Sequence, residues 1–197
     1  MFSDTLVICD SLQSQNYASP HNKLSTLKKQ GVLFRIRHGR YETERDVPPS
    51  LLACSIYGPS YLSFEYALFV HGLIPEKVTL YTSATTGKNR TKKFTNFYGT
   101  YTYQDVPRAA FPHGTVVKVY EGRGYLIATA EKALCDMLYK QKPVGSVKQL
   151  RALLFENLRI DETEFSKLDR ETLLFLCLLY RKKNLNFLAK MIAREKP

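Results

Sequence analysis

The sequence predicts an α+β fold, and three observations predict it. Helical periodicity with capping signals occupies both ends of the chain, a Thr- and Tyr-rich alternating stretch fills 77–127, and 44% of the 197 residues are hydrophobic against 24% charged. That balance is globular, and the length suffices for one core or two small ones.

Ser3 is expected to cap a helix from about Asp4, with Leu6, Val7, Cys9 and Leu12 as its apolar positions. A second helix begins at Ser19 and Pro20, a cap residue followed by proline in the first turn, and ends at Gly31. Residues 32–37 read as a strand, His38-Gly39 as a tight turn and 40–43 as the returning strand. Helix, helix, hairpin is the order of a reduced winged helix-turn-helix, which the sequence places at 1–57. Pro48 and Pro49 interrupt the chain, a helical stretch covers 51–56, and Gly58-Pro59 marks the expected boundary.

The second part, 60–197, opens with a helix capped by Ser63, whose Phe64, Ala67, Leu68 and His71 share one face and which Gly72 closes. Strands are predicted at 78–83, 93–98, 100–106, 116–120 and 124–127, forming a small, mostly antiparallel sheet. Thr129 opens a helix that Pro143 stops. Helices at 147–155, 162–168, 171–180 behind Asp169 and 185–194 behind Asn184 complete the chain. With its own sheet and helices, this part is expected to fold without the first.

Charge directs the functional reading. Twenty-nine Lys and Arg against 18 Asp and Glu give a formal charge of +11, which at this length points to a polyanionic partner. Within 21–40 stand Lys23, Lys28, Lys29, Arg35, Arg37 and Arg40 and no carboxylate. A helix can enter a major groove while a hairpin reaches the backbone, so Asn22, Lys23, Ser25, Thr26, Lys28 and Lys29 on the helix, with Arg35, Arg37, His38 and Arg40 on the hairpin, are the candidate contacts to double-stranded DNA. Lys88, Arg90, Lys92 and Lys93 form an auxiliary basic patch in another acid-free stretch, 77–104. Gly87-Lys88 there lacks the first glycine and the following Ser or Thr of a phosphate loop.

Other chemistry finds no pattern. Cys9, Cys54, Cys135 and Cys177 stand singly, without the paired spacing of a zinc or redox site, and three of them sit in apolar helical patterns as buried thiols. His21, His38, His71 and His113 have no companion motif, so no catalytic residue, metal or cofactor is expected and the protein is read as a non-enzyme. Glu65, His71, Glu131 and Lys132 are assigned structural roles. No uncharged apolar run approaches the ~20 residues of a membrane span, and 1–15 carries Asp4 and Asp10 without a basic start, so a cytoplasmic location with no membrane partner is expected.

Three stretches together resemble the AbiEi-type antitoxins of abortive-infection, type IV toxin-antitoxin systems. Residues 23–33 running into 35–41 look like the family's last winged-helix helix and its wing; 60–68 leading to 71–76, and then 128–136, resemble its later signatures. One helix precedes the DNA-reading helix here, where many relatives have two. The resemblance implies a transcriptional autoregulator that binds inverted repeats in its own promoter, where copies of the chain can associate on DNA. It also implies an antitoxin domain that opposes a nucleotidyltransferase-like toxin in phage defence. Two alternatives remain: an interaction module whose basic face binds an acidic partner such as a cognate toxin without binding DNA, and a nucleic-acid enzyme.

Overall fold

The computed structural model describes residues 3–194. Its first segment runs β1 (Ser3–Asp4), α1 (Thr5–Ser14), α2 (Pro20–Lys29), β2 (Phe34–Arg37) and β3 (Arg40–Glu42). The helix, helix, hairpin order is thus present. Asp4, not Ser3, occupies the cap position of α1 and makes no side-chain cap bond, and the Ser3 side chain lies outside the described set. Gly39 turns the hairpin at φ +78°, a left-handed conformation that glycine adopts without strain. β1 and β2 flank β3, both antiparallel. Under this small sheet Cys9, Leu24, Leu33 and Tyr41 form a separate cluster of buried side chains.

Residues 49–52 form a 3₁₀ turn that runs into α3 (Ala53–Ile56), then β4 (Ser60–Leu62) and α4 (Phe64–Val70). The sheet continues through β5 (Leu80–Thr85), β6 (Lys92–Asn96), β7 (Gly99–Asp105), β8 (Thr115–Tyr120) and β9 (Arg123–Ala128). The predicted strands recur with small shifts, but their arrangement differs from the expected one. The order is β6-β7-β5-β4-β9-β8, with β5/β7 and β4/β9 parallel and the other pairs antiparallel, so the sheet is mixed. The tight β6-β7 hairpin folds back to place β7 rather than β6 against β5. Alternation of side chains is the same in parallel and antiparallel strands, which is why the pattern could not announce this. β8 and β9 meet at Glu121-Gly122, both at positive φ (48° and 74°), the backbone of a two-residue hairpin turn.

Helices follow: α5 (Ala130–Lys140), α6 (Val147–Arg151) with a π-helical turn over Ala152–Asn157, α7 (Glu162–Ser166), α8 (Arg170–Tyr180) and α9 (Lys183–Arg194). Thr129, Ser146, Asp161 and Asp169 cap α5, α6, α7 and α8 by accepting a backbone N–H three residues on. Asn184 does not cap its helix as expected. It is fully buried inside α9, where its amide accepts from Val144 N and donates to the carbonyls of Leu138, Gln141 and Lys142. It therefore fastens the chain after α5 to α9.

One large cluster of buried side chains runs from Ile36 and Val47 to Ile192 and takes in Leu51, Leu52, Ala53 and Ile56. The expected boundary at 57–60 therefore falls within a continuous core. Full burial of a Leu or Ile side chain stabilises by about 1.5–3 kcal/mol, so the segment before Gly58 contributes to the part after it. The hairpin is tied to the same body: Asn96 Nδ2 donates to Ile36 O at 2.9 Å, and Arg123 pairs with the buried Glu42 at 2.7 Å.

Candidate nucleic-acid interface

α2 carries no acidic residue, and its periodicity divides it cleanly. Leu24 is buried and Leu27 packs beside it, while Asn22, Ser25, Thr26 and Lys29 are exposed at the i, i+3, i+4, i+7 spacing of one helical face. Six of the ten predicted contacts lie on this helix. Lys23 and Lys28 flank the face, with their ammonium groups 4.9 Å from the Tyr17 ring centroid and 5.9 Å from that of Tyr41. Such contacts steady the stems of the two lysines and keep their charges at the surface.

The hairpin cations separate into two kinds. Arg35 and His38 are exposed. Arg37 Nη1 donates to Ile56 O at 2.8 Å, and Arg40 donates to Ser55 O at 2.7 Å while pairing with Asp4 at 2.9 Å. The carbonyls at the end of a helix have no partner within it, and these two guanidiniums supply the partners for α3. Arg37 and Arg40 are placed as clamps between hairpin and core, a use that a linear charge count could not show.

Two cations of the auxiliary patch, remote from the hairpin in sequence, gather on Tyr57, which contacts Phe94 of β6. Arg90 Nε donates to Tyr57 Oη at 3.4 Å, Lys88 sits over the Tyr57 ring at 5.4 Å, and Tyr57 contacts Phe94 of β6 with centroids 5.8 Å apart. The loop carrying Lys88 and Arg90 is pinned by Asp105, which accepts from the backbone N–H of Lys88 and Asn89 and from Thr85 Oγ1, each at 2.6 Å. β6 then presents Lys92, half-buried, and Lys93, exposed. Between hairpin and β6 lies a cleft of about 470 Å³, with Arg35, Arg37 and His38 on one wall and Phe94, Thr95 and Asn96 on the other. No carboxylate lines it. A second concavity of about 440 Å³ contains Glu65, Lys77 and Lys140, with Lys140 and Glu65 3.8 Å apart, and so carries both signs.

The two later motifs that carry the family resemblance meet in the interior. Asp136, fully buried, accepts from Tyr61 Oη at 3.0 Å, Ser63 Oγ at 2.6 Å and Tyr180 Oη at 2.5 Å. Lys132, equally buried, stands 3.4 Å from that carboxylate and donates to Ala110 O at 2.6 Å and Tyr180 Oη at 2.7 Å. Ser63 therefore gives its hydroxyl to Asp136 instead of capping α4. Burial lowers the Lys132 pKa against the pull of Asp136, and burial raises that of Asp136 against the pull of Lys132 and its three hydroxyl donors. His71 Nε2 lies 2.8 Å from Ala128 O, and Glu131 accepts the N–H of Asp169 at 3.2 Å. The i, i+4 spacing of Lys132 and Asp136 was the available signal for the network; Tyr61, Ser63 and Tyr180 carried none.

A scan against models of protein families gives no match, and a search of curated proteins gives none. Among the described residues no group of three or more His, Cys, Asp or Glu could hold a metal ion, and no helix is long and apolar enough to cross a membrane.

Proposed function

We propose that this chain is a non-enzymatic DNA-binding autoregulator and antitoxin of the AbiEi type, acting on double-stranded DNA through a winged-helix-like first segment. The observation that carries the DNA reading is the exposed, acid-free face of α2, where Asn22, Ser25 and Thr26 can address base edges and Lys29 a phosphate. Arg35 and His38 extend that surface onto the hairpin, and Arg37 and Arg40 hold the hairpin where it can serve as a wing. The antitoxin part of the reading rests on the resemblance at 60–76 and 128–136.

Titration of labelled duplex from the chain's own upstream region tests the DNA reading. Affinity should fall with salt by a log-log slope of roughly 0.9 per phosphate neutralised. Lys29→Ala should weaken all duplexes alike and reduce that slope by about 1, whereas Asn22→Ala or Ser25→Ala should change the preference between sequences. An affinity indifferent to salt overturns it. One observation favours a second reading, a protein partner: the edge strand β8 and its neighbour expose Val117, Val119 and Leu126 on one face. Co-purification with the product of the neighbouring gene, without retention of DNA, is the result expected from that alternative.

A further inference from the structure

We infer that the cleft between the hairpin and β6 is a binding site for single-stranded nucleic acid, distinct from the duplex-reading face of α2. A single strand requires a cationic groove that follows its phosphates and an aromatic face on which an unpaired base can stack. Both are present. Arg35 and His38 supply exposed cationic or hydrogen-bonding groups on one wall, Phe94 lines the other, and the cleft of about 470 Å³ has room for a base.

The site is built from both halves of the chain. Asn96 Nδ2 crosses from β6 to Ile36 O, and Phe34 and Phe97 meet in a tilted ring contact with centroids 4.9 Å apart, so the two walls are fixed relative to each other. Phe94 is half-buried and contacts Tyr57 in a tilted and Tyr103 in an edge-on arrangement, each centroid 5.8 Å away, which sets its ring in place before any ligand arrives. Phe94 contacts Tyr57, and Lys88 and Arg90 converge on Tyr57, so cations continue past the aromatic wall. Asp105, at the base of that loop, is occupied by three donors of the loop and its strand. Duplex DNA is too wide to bring a stacked base to Phe94, whereas an unpaired base reaches it by rotating out of the strand. This proposal shares with the operator reading the premise of a polyanionic partner and the hairpin residues Arg35 and His38, whereas Phe94 belongs to this site alone.

Fluorescence anisotropy on the full-length protein with labelled oligo(dT) of about 8 nucleotides, run in parallel with duplex, tests it. Oligo(dT) should bind with a salt slope near 0.7 per phosphate. Arg35→Ala together with Lys88→Ala should lower that slope by about 1.4, while Phe94→Leu, which keeps apolar packing against Tyr57 and Tyr103, should weaken oligo(dT) about five-fold or more. A duplex probe should hold to within about two-fold in Phe94→Leu, and Ser25→Ala should leave oligo(dT) unchanged. Absence of oligo(dT) binding, or equal loss of both probes in Phe94→Leu with an unchanged melting temperature, overturns the proposal. Loss of duplex binding alone would overturn the operator reading and leave this one standing.

Discussion

Replacing Asp136 by Ala removes the acceptor at the centre of the buried network. The Lys132 ammonium then remains fully buried without a countercharge, keeping the Ala110 carbonyl, the Tyr180 hydroxyl and the Tyr61 and Tyr180 rings beside it, and Tyr61, Ser63 and Tyr180 lose the acceptor of their hydroxyls. Breaking one side of a buried ion pair costs roughly 3–5 kcal/mol, a large share of the 5–15 kcal/mol that typically separates folded from unfolded chains. At about 2–4 °C per kcal/mol for a chain of this size, the melting temperature should drop by roughly 6–20 °C. Circular dichroism melts and urea denaturation measure it. Lys132→Met supplies the second arm of a double-mutant cycle: with both charges gone, the double variant should lose less than the sum of the single losses, by about 1 kcal/mol or more. A cost below about 1 kcal/mol for Asp136→Ala, or strict additivity, would refute the view that these residues act as one coupled network. Because the network is sealed from solvent, duplex affinity below the melting transition should be unchanged in each variant.

Three further outcomes are expected. Arg37→Ala should lower the melting temperature, since a hydrogen bond from a charged group contributes about 1.5–3 kcal/mol, whereas Arg35→Ala should leave it within about 1 °C; differential scanning calorimetry separates the two. Burial works to raise the Glu42 pKa, but hydrogen bonds from Arg123 and from the N–H groups of Thr43 and Glu44 hold it below the ordinary 4.5. Its contribution to stability is thus complete above that ordinary value and is lost as pH falls through the lower folded value, so melts across pH 3–6 should show a steeper acid loss in the parent than in Glu42→Gln. A fragment starting at residue 60 should aggregate, having left out the buried Leu51, Leu52, Ala53 and Ile56, whereas one starting at residue 46 should elute as a soluble species and melt cooperatively. Soluble, cooperative behaviour of the shorter fragment would show that those four side chains are dispensable to the core.

The sequence by itself determined most of the local structure. Pro20 and Gly31 bracket α2, Asp169 caps α8 and Thr129 caps α5, because capping and turn formation depend on residues within a few positions of one another. The exposed face of α2 was legible for the same reason: a period of 3.6 separates Leu24 and Leu27 from Asn22, Ser25, Thr26 and Lys29. β4, three residues of SYL after Gly58-Pro59, was too short to show alternation. Everything that depended on distant partners was decided by the tertiary structure. The parallel pairing of β5 with β7, the clamping of Arg37 and Arg40 on α3, the gathering of Lys88 and Arg90 on Tyr57, and the meeting of Tyr61, Ser63 and Tyr180 at Asp136 all link residues at least 15 positions apart in the chain. A cation reads the same in a sequence whether it ends in water or on a backbone carbonyl. Only packing decides which, because the cost of burying the charge is met by partners that the neighbouring residues do not supply.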